Sequence, residues 1–529
     1  MEKLTACPLD CYDACEVIYK DKVLKPSNVN PITNGKLCKL FGYLQKETQL
    51  QDKNLNQTLQ NVVNKLNQPN QKILFYKGSG NMGVMQNITK QFFEKLKATI
   101  VTGSLCDGAG EAGIEMGREV CINPPLKNLI NSDIIIVWGR NLTVTSPHIY
   151  SLIKGKTFIT IDPIETKIAR QSELFLQIKP KADYLLSKIL IQLLRGEKII
   201  DIQNVLELLG ISEELLRNTR ELLVNKKVSI LLGVGVQKYF EGSFIVHQID
   251  KLANQLGCFK PNNGGVWYLS NSTYPYQNKI SITPTNSIPI ASAKFEDYDI
   301  IFIQGANPVV SAPNSDAIID GLKKSFVIFF GTTYNDTCKY ANIIIPAKTF
   351  LQKKDVRLSY GHDEIIFTDI CQENYASISE YELTSYLFDK FSFTELLSEQ
   401  EYINSFKLKV NEKPQINFKE VPSTNIEPIK LEKNQFHLIT AKSKNSLNSQ
   451  FKSDSYIYIH PSYGYKDNQE IILSSKIARS MFKVKNSIDV QKNSILVYSG
   501  NKDINRLTTN QISQYGNNAI YQELIVTIV

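Results

Sequence analysis

Residues 133–141 read DIIIVWGRN, and residues 157–163 read TFITIDP. Each is a short apolar run that stops abruptly, the first in Gly, Arg and Asn, the second in Asp and Pro. No polar residue alternates through the first run, so both faces of such a segment must be covered, and five residues are too few for a buried helix. These are strands of a parallel sheet, with the polar residues collected at the strand ends. The form recurs along the chain. KILFYK (72–77) runs into GSGNMG, ATIVTG (98–103) into SLC, VSILLG (228–233) into VGVQ and DIIFIQ (299–304) into GANP, and FVIFFGT (326–332) and ANIIIPA (341–347) repeat it. Helical stretches such as ADYLLSKILIQLLRG (182–196) and SFIVHQIDKLANQLG (243–257) lie between some of them. Eight such strands exceed one doubly wound unit, so the pattern predicts an α/β protein with two doubly wound domains.

The tail differs. FHLITAKS, SYIYIHP, EIILSS, MFKVKN, SILVYSG and ELIVTIV follow one another from residue 436 with turns and little helix between. That is the pattern of a compact β-barrel. Residues 372–430 are polar and mixed, a helix followed by a connector containing proline. With 529 residues the chain is too long for one core, and a soft prior gives roughly three or four domains. The expected division is 1–45 as a cysteine-rich segment, 46–130 with 293–425 as one α/β domain, 131–292 as a second inserted into it, and 430–529 as the barrel.

Hydrophobic content of 42% and charged content of 21% suit a globular protein. No run of about 18 apolar residues and no leader pattern is visible, which predicts no membrane span and a cytoplasmic location. The net charge of +8 is spread without a basic stripe or aromatic–basic interleaving, so nucleic acid is not expected. A polyanionic cofactor in a basic interior is.

Four of nine cysteines fall in the first 38 residues: CPLDCYDAC places Cys7, Cys11 and Cys15, and GKLC places Cys38. In a reducing compartment they are metal ligands before they are disulfides. The spacing fits none of the usual zinc pairs, whereas three cysteines close in sequence and one remote suit an iron–sulfur cluster.

The strand-end loops supply the other candidates. Gly78, Gly80 and Gly83 form a literal G-x-G-x-x-G after a strand, but the next strand ends without an acid to hold a ribose, so a nicotinamide site is a minor reading. VTGSLCDGAGEAG sets Cys106 at a strand end among Gly103, Gly108, Gly110 and Gly113. The glycines there leave room for a cofactor to approach. Asp162 ends a strand, either as a helix cap or as an acceptor for a ribose or base. The GRN loop (139–141) and the GANP loop (305–308) look alike, which suggests two similar nucleotide sites.

Together these segments resemble the molybdopterin oxidoreductase family over nearly the whole chain. CPLDCYDAC…GKLC is similar to the family's cluster segment. GSGNMGVMQ and GSLCDGAGEAG resemble its first pterin-facing loops. DIIIVWGRNLTVTSPH followed by TFITIDPIETKIA is the most specific stretch. GANPVVSAPN and TCKYANIIIPAKTFLQKKDV resemble a later signature, and LITAKSKNSLNSQF with INRLTTNQIS…GNNAIY resembles the C-terminal dinucleotide-binding barrel, of the double-psi type. The resemblance implies Mo or W held by a bis-molybdopterin guanine dinucleotide, one 4Fe–4S cluster on Cys7, Cys11, Cys15 and Cys38, and a metal ligand at Cys106 with Asp107 as the fallback. It implies Lys39 as the basic residue between cluster and pterin and His148 as part of the site. Cofactor contacts are implied at Gly78, Gly80, Asn81, Gly139, Asn141, Asp162, Asp183, Gly235, Gly305, Asn307, Thr333, Thr440 and Asn510. The implied partners are a small-molecule substrate and a ferredoxin-like or flavin electron-transfer subunit.

This chain departs from the family in three places. It is short, PKAD (180–183) stands where relatives often read P-G-T-D, and Cys106 is followed by Asp rather than the His usual in formate dehydrogenases. Formate is therefore not the favoured substrate. The alternatives are a metal-free electron-transfer scaffold of the same fold and, behind it, an NAD-dependent dehydrogenase.

Overall fold

The apolar runs at 133–141 and 157–163 pair with each other. Ile134–Trp138 and Thr157–Ile161 are parallel neighbours in a five-stranded sheet ordered Gly264–Trp267, Val228–Leu232, Ile134–Trp138, Thr157–Ile161, Leu174–Leu176. A computed structural model describes residues 2–408, 411–422, 424–452 and 454–529. The domain spans expected from sequence run across the five residues outside that set. A second parallel sheet has six strands, ordered Ser287–Pro289, Thr99–Thr102, Ile73–Lys77, Ile300–Gln304, Phe326–Gly331, Ile343–Pro346. The chain leaves this sheet after Thr102, builds the five-stranded one, and returns at Ser287.

Side-chain alternation explains why these runs are apolar throughout. In Ile134–Trp138, Ile134, Ile136 and Trp138 face the core under helices Gly108–Arg118, Asp183–Leu194 and Gly242–Gln255, while Ile135 and Val137 face Leu129, Ile149 and Ile153 on the other side. In Ile73–Lys77, Ile73 and Phe75 pack under Leu55–Leu66, Thr89–Lys95 and Glu380–Lys390, whereas Leu74 and Tyr76 face Phe295, Ile318 and Leu322. Each fully buried side chain of this size stabilises by roughly 1.5–3 kcal/mol. A polar residue at any of these positions would therefore be costly on either face.

The tail closes a six-stranded mixed barrel from Gln435–Ala441, Ser494–Tyr498, Tyr456–Ile459, Arg479–Asn486, Glu470–Ser474 and Ile525–Ile528. Arg479–Asn486 alternates between exposed and buried residues up to Lys485, as a barrel wall with one solvated face must. The first segment is a three-stranded antiparallel sheet, Lys3–Ala6, Glu16–Lys20 and Val23–Pro26. Residues 7–15 connect its first two strands, closed by a bond from the Cys7 amide to the Cys15 carbonyl at 2.9 Å. Among the described residues no helix is long and apolar enough to cross a membrane.

Candidate functional site

In an open parallel sheet, ligands bind where successive strands leave in opposite directions. Both sheets have that point. Ile73–Lys77 lies between Thr99–Thr102 and Ile300–Gln304, and Ile134–Trp138 lies between Thr157–Ile161 and Val228–Leu232. The loops at both points line one cavity of about 1510 Å³, which the barrel and the cysteine segment also line. Ordinary small-molecule pockets are about 300–1,000 Å³, so this one suits a larger ligand or more than one.

The two strand-end loops are built alike. Gly139 and Gly305 sit at φ +58° and +55°, a left-handed turn that suits glycine. Each carries the chain to an asparagine, Asn141 or Asn307, preceding a one-turn helix. Each also has a glycine pressed on it from the neighbouring loop. A side chain at Gly233 would stand 1.8 Å from the Gly139 carbonyl oxygen, and one at Gly80 2.6 Å from that of Gly305. Backbone therefore meets backbone at both points.

Beyond the GRN loop lie two buried carboxylates. Burial pushes the Asp162 carboxyl up to about 7, with neighbouring Asp183 adding to the shift. Burial takes Asp183 up to about 6, against a stabilising bond from the Trp138 indole N–H at 2.7 Å. Beyond GSGN lie cations instead. Burial drives the Lys77 ammonium down to about 7, with Lys90 adding repulsion, and burial also lowers Lys90. Arg140, buried in the GRN loop, stacks over the Tyr12 ring at 4.1 Å and donates to the Ser146 hydroxyl at 2.6 Å.

Cys106 follows Thr99–Thr102 and precedes helix Gly108–Arg118, with Asp107 at the N-cap position. Its amide donates to the Ser104 hydroxyl at 2.8 Å. Fully buried Gln237 clamps the loop, donating to the Cys106 carbonyl and accepting from the Gly110 amide at 3.0 Å. Burial raises the Asp107 carboxyl, and burial with the nearby Asp107 charge pushes Glu111 up to about 8. The glycines around Cys106 do not all make room for a ligand. Those at 108, 110 and 113 admit the Gly516 carbonyl, the Tyr268 ring and the Ser243 carbonyl, so they serve packing. Gly103 alone of the four has nothing closer than 4.0 Å.

Cys7, Cys11, Cys15 and Cys38 all line the cavity as free thiols. Burial raises Cys7 to about 12 and Cys11 and Cys15 well above the usual thiol range, and the charges of the neighbouring cysteines raise each of them further. The segment is held from far away in sequence. The Arg357 guanidinium, 2% exposed, donates to the carbonyls of Cys7, Leu9 and Cys11 at 3.2, 2.9 and 3.1 Å. His148 donates its amide to Asp13 at 2.9 Å, and its ring nitrogens face Asp13 Oδ2 and the Lys36 carbonyl, both at 3.0 Å. Burial would lower the His148 imidazole, but Asp13 and the Lys36 carbonyl raise it overall.

These residues can be tested against the groups that the resemblance implies. Among the described residues, no three Cys, His, Asp or Glu side chains stand where one metal ion could be held. A multi-iron cluster spreads its ligands more widely than a single ion does. Arg357 is a buried cation that, among the described residues, pairs with no carboxylate. Such a charge is costly without an anionic neighbour, and four cluster thiolates would supply one. At the Tyr76 hydroxyl, buried on the cavity wall, no partner is present among the described residues, so that wall retains an unused polar group. The residues fit an anionic cluster beside a large polar cofactor.

All but one of the cluster, metal-ligand and cofactor-contact residues implied by the resemblance line this cavity. Asn510 does not; Asn505 does, with its amide donating to the Val310 carbonyl at 2.6 Å. Asn81 lines it, but its side-chain amide is turned back to the Lys348 carbonyl and to Glu380. Lys39 is exposed at the rim and donates to Asn445 at 3.0 Å. Thr440 is held by Gln522. Lys77, Arg140, Gln237 and Arg357 were not named. Lys77 and Arg140 sit inside the loops already quoted, as a charge at a strand end and the middle residue of GRN. Nothing near Gln237 or Arg357 in sequence announces their partners.

The chain is 23% identical to YyaE, a probable oxidoreductase of Bacillus subtilis (strain 168), over 429 residues, covering 68% of this chain and 64% of the relative. It is 22% identical to the F420-dependent formate dehydrogenase subunit alpha of Methanocaldococcus jannaschii, covering 62% of this chain and 61% of that one. The chain thus spans a little under two thirds of these relatives. In fold it is similar to acetylene hydratase from Pelobacter acetylenicus, with a TM-score of 0.75, 12% identity and 99% of both chains covered. The model of one family, molybdopterin oxidoreductase, matches residues 54–390, well over half of the sequence, and the chain belongs to that family.

Proposed function

We propose that this protein is a molybdenum- or tungsten-dependent oxidoreductase. It carries a bis-molybdopterin guanine dinucleotide and performs two-electron chemistry, often with an oxygen atom, on a small molecule. Electrons pass through one 4Fe–4S cluster on Cys7, Cys11, Cys15 and Cys38. The observation that carries the reading is convergence. The switch-point loops of two separate sheets, the Cys106 loop, the barrel and the four-cysteine segment all face one cavity.

The bound metal would supply an electron-pair exchange centre, and Cys106 or, failing it, Asp107 would hold it from the protein side. Gln237 fixes the height of the Cys106 backbone. Asp107 lies beside that position, with burial raising its carboxyl. Asp162 and Asp183 accept N–H groups at one tail of the ligand. Lys77 and Arg140 offset phosphate charge, and the glycine contacts keep the loops close enough for backbone amides to reach it. His148 and Asp13 hold the cysteine segment in register.

The test is metal analysis and mass identification of the cofactor extracted from anaerobically purified protein. A guanine dinucleotide pterin with Mo or W is expected. Pterin without metal would leave the electron-transfer scaffold, and NAD would overturn the reading. Cys106→Ala should abolish turnover while leaving most bound pterin in place.

A further inference from the structure

We propose that the lysines around helix Lys39–Leu44 form a docking face for an acidic one-electron carrier protein, an inference that rests on the cluster reading of the four cysteines. Cys38 occupies the N-cap position of this helix. Exposed Lys36 stands two residues before the cap, and exposed Lys46 follows the last turn. The Tyr43 ring lies 5.9 Å from Phe451, which brings exposed Lys452 alongside. The Lys39 ammonium bonds Asn445 at 3.0 Å, which brings exposed Lys444 to the same rim.

Elsewhere, surface lysines often have partners: Lys95 with Glu395, Lys339 and Lys502 with Asp336, Lys419 with Glu119. Among the described residues none of the five around this helix is paired with a carboxylate. The loop leading to Lys36 is closed by the Gly35 amide on the Ser27 carbonyl at 2.8 Å and carries Val29, 87% exposed. A charged rim beside an apolar tip suits a partner that is steered in by charge and then held by contact.

One cysteine set means that electrons cross the protein surface near it. Two carriers would dock in turn for each turnover. Each would lose one electron when the substrate is reduced by two, or gain one when it is oxidised by two.

The experiment uses the holoprotein and needs no substrate. Stopped-flow mixing with a reduced acidic [2Fe–2S] ferredoxin, a one-electron donor, follows return of the donor's own oxidised absorption, beside a control in which reduced methyl viologen bleaches the cluster. The triple variant Lys36→Glu, Lys46→Glu, Lys452→Glu avoids every residue that lines the cavity. The expected result is a second-order rate with ferredoxin about tenfold lower in the variant at low salt, a weaker salt dependence, and an unchanged viologen rate. Equal ferredoxin rates in both proteins overturn the docking face, as does slow, salt-insensitive ferredoxin reduction of a wild-type cluster that viologen reduces readily. If viologen bleaches nothing because no cluster is present, the cluster reading falls, and the docking face with it.

Discussion

The GRN and GANP loops share a backbone and differ in charge. Both turn at a left-handed glycine, both receive a glycine from a neighbouring loop, and both reach an asparagine before a short helix. Beyond the first are Asp162 and Asp183; beyond the second are Lys77 and Lys90. The shared backbone leaves the same kind of opening at both strand ends, on one cavity. The side chains behind it differ, carboxylates at the first opening and lysines at the second.

The largest expected effect is on pH dependence, where the two sites oppose each other. Asp162 is raised in the folded protein to about 7, so its contribution is full below about pH 4 and is lost as pH rises through 7. Lys77 is lowered to about 7, so its buried charge destabilises below pH 7, and stability rises between about 7 and 10.5 as the penalty fades. Each slope is worth up to about 4 kcal/mol. Urea unfolding of ligand-free protein across pH should show the fall vanish in Asp162→Asn and the rise vanish in Lys77→Met. Unchanged slopes would break the comparison.

Next is crowding. Gly233→Ala sets a methyl 1.8 Å from a backbone oxygen, with no rotamer to relieve it, and should cost about 3 kcal/mol or more. Gly80→Ala meets its carbonyl at 2.6 Å and should cost less. Equal losses would mean that the two loops yield alike.

A smaller effect concerns ligand choice. Calorimetry of GMP and AMP binding should show Asp162→Asn losing about tenfold in preference for guanine, roughly 1.4 kcal/mol. Lys77→Met should weaken both nucleotides without changing that preference. The smallest difference sharpens the glycine pair itself. Alanine at either Gly139 or Gly305 should lose about 1–2 kcal/mol for a left-handed turn. Gly139→Ala should lose slightly more, because a Val236 methyl stands at 2.4 Å while the space at Gly305 is open to 3.5 Å.

Much of this was legible in sequence because buried parallel strands advertise themselves. All eight runs named are strands, and the six in the tail are the six barrel strands. Three further strands of the two parallel sheets, Leu174–Leu176, Gly264–Trp267 and Ser287–Pro289, escaped because three or four residues at a sheet edge carry too little pattern. The strand-end loops were readable because small and polar residues directly follow each apolar run. Gln237 and Arg357 were not, since each acts through backbone carbonyls more than 100 residues away, and a carbonyl leaves no mark on the sequence. Asn510 and Asn505 show the same limit within one short segment: both suit the role, and only the path of the chain separates them.

The hold of Arg357 on the cysteine segment has a consequence for biosynthesis. Chains emerge from the ribosome in order, and early segments begin to fold first. The cysteines appear early, but the guanidinium that organises their carbonyls arrives some 350 residues later. Phe451, which meets Tyr43 beside Cys38, comes later still. For most of translation the four thiols therefore lie in an unfinished loop, open to stray metals and oxidants. If these thiols hold the proposed iron–sulfur unit, its insertion would wait for the downstream half of the chain, or the thiols would need shielding until it arrives.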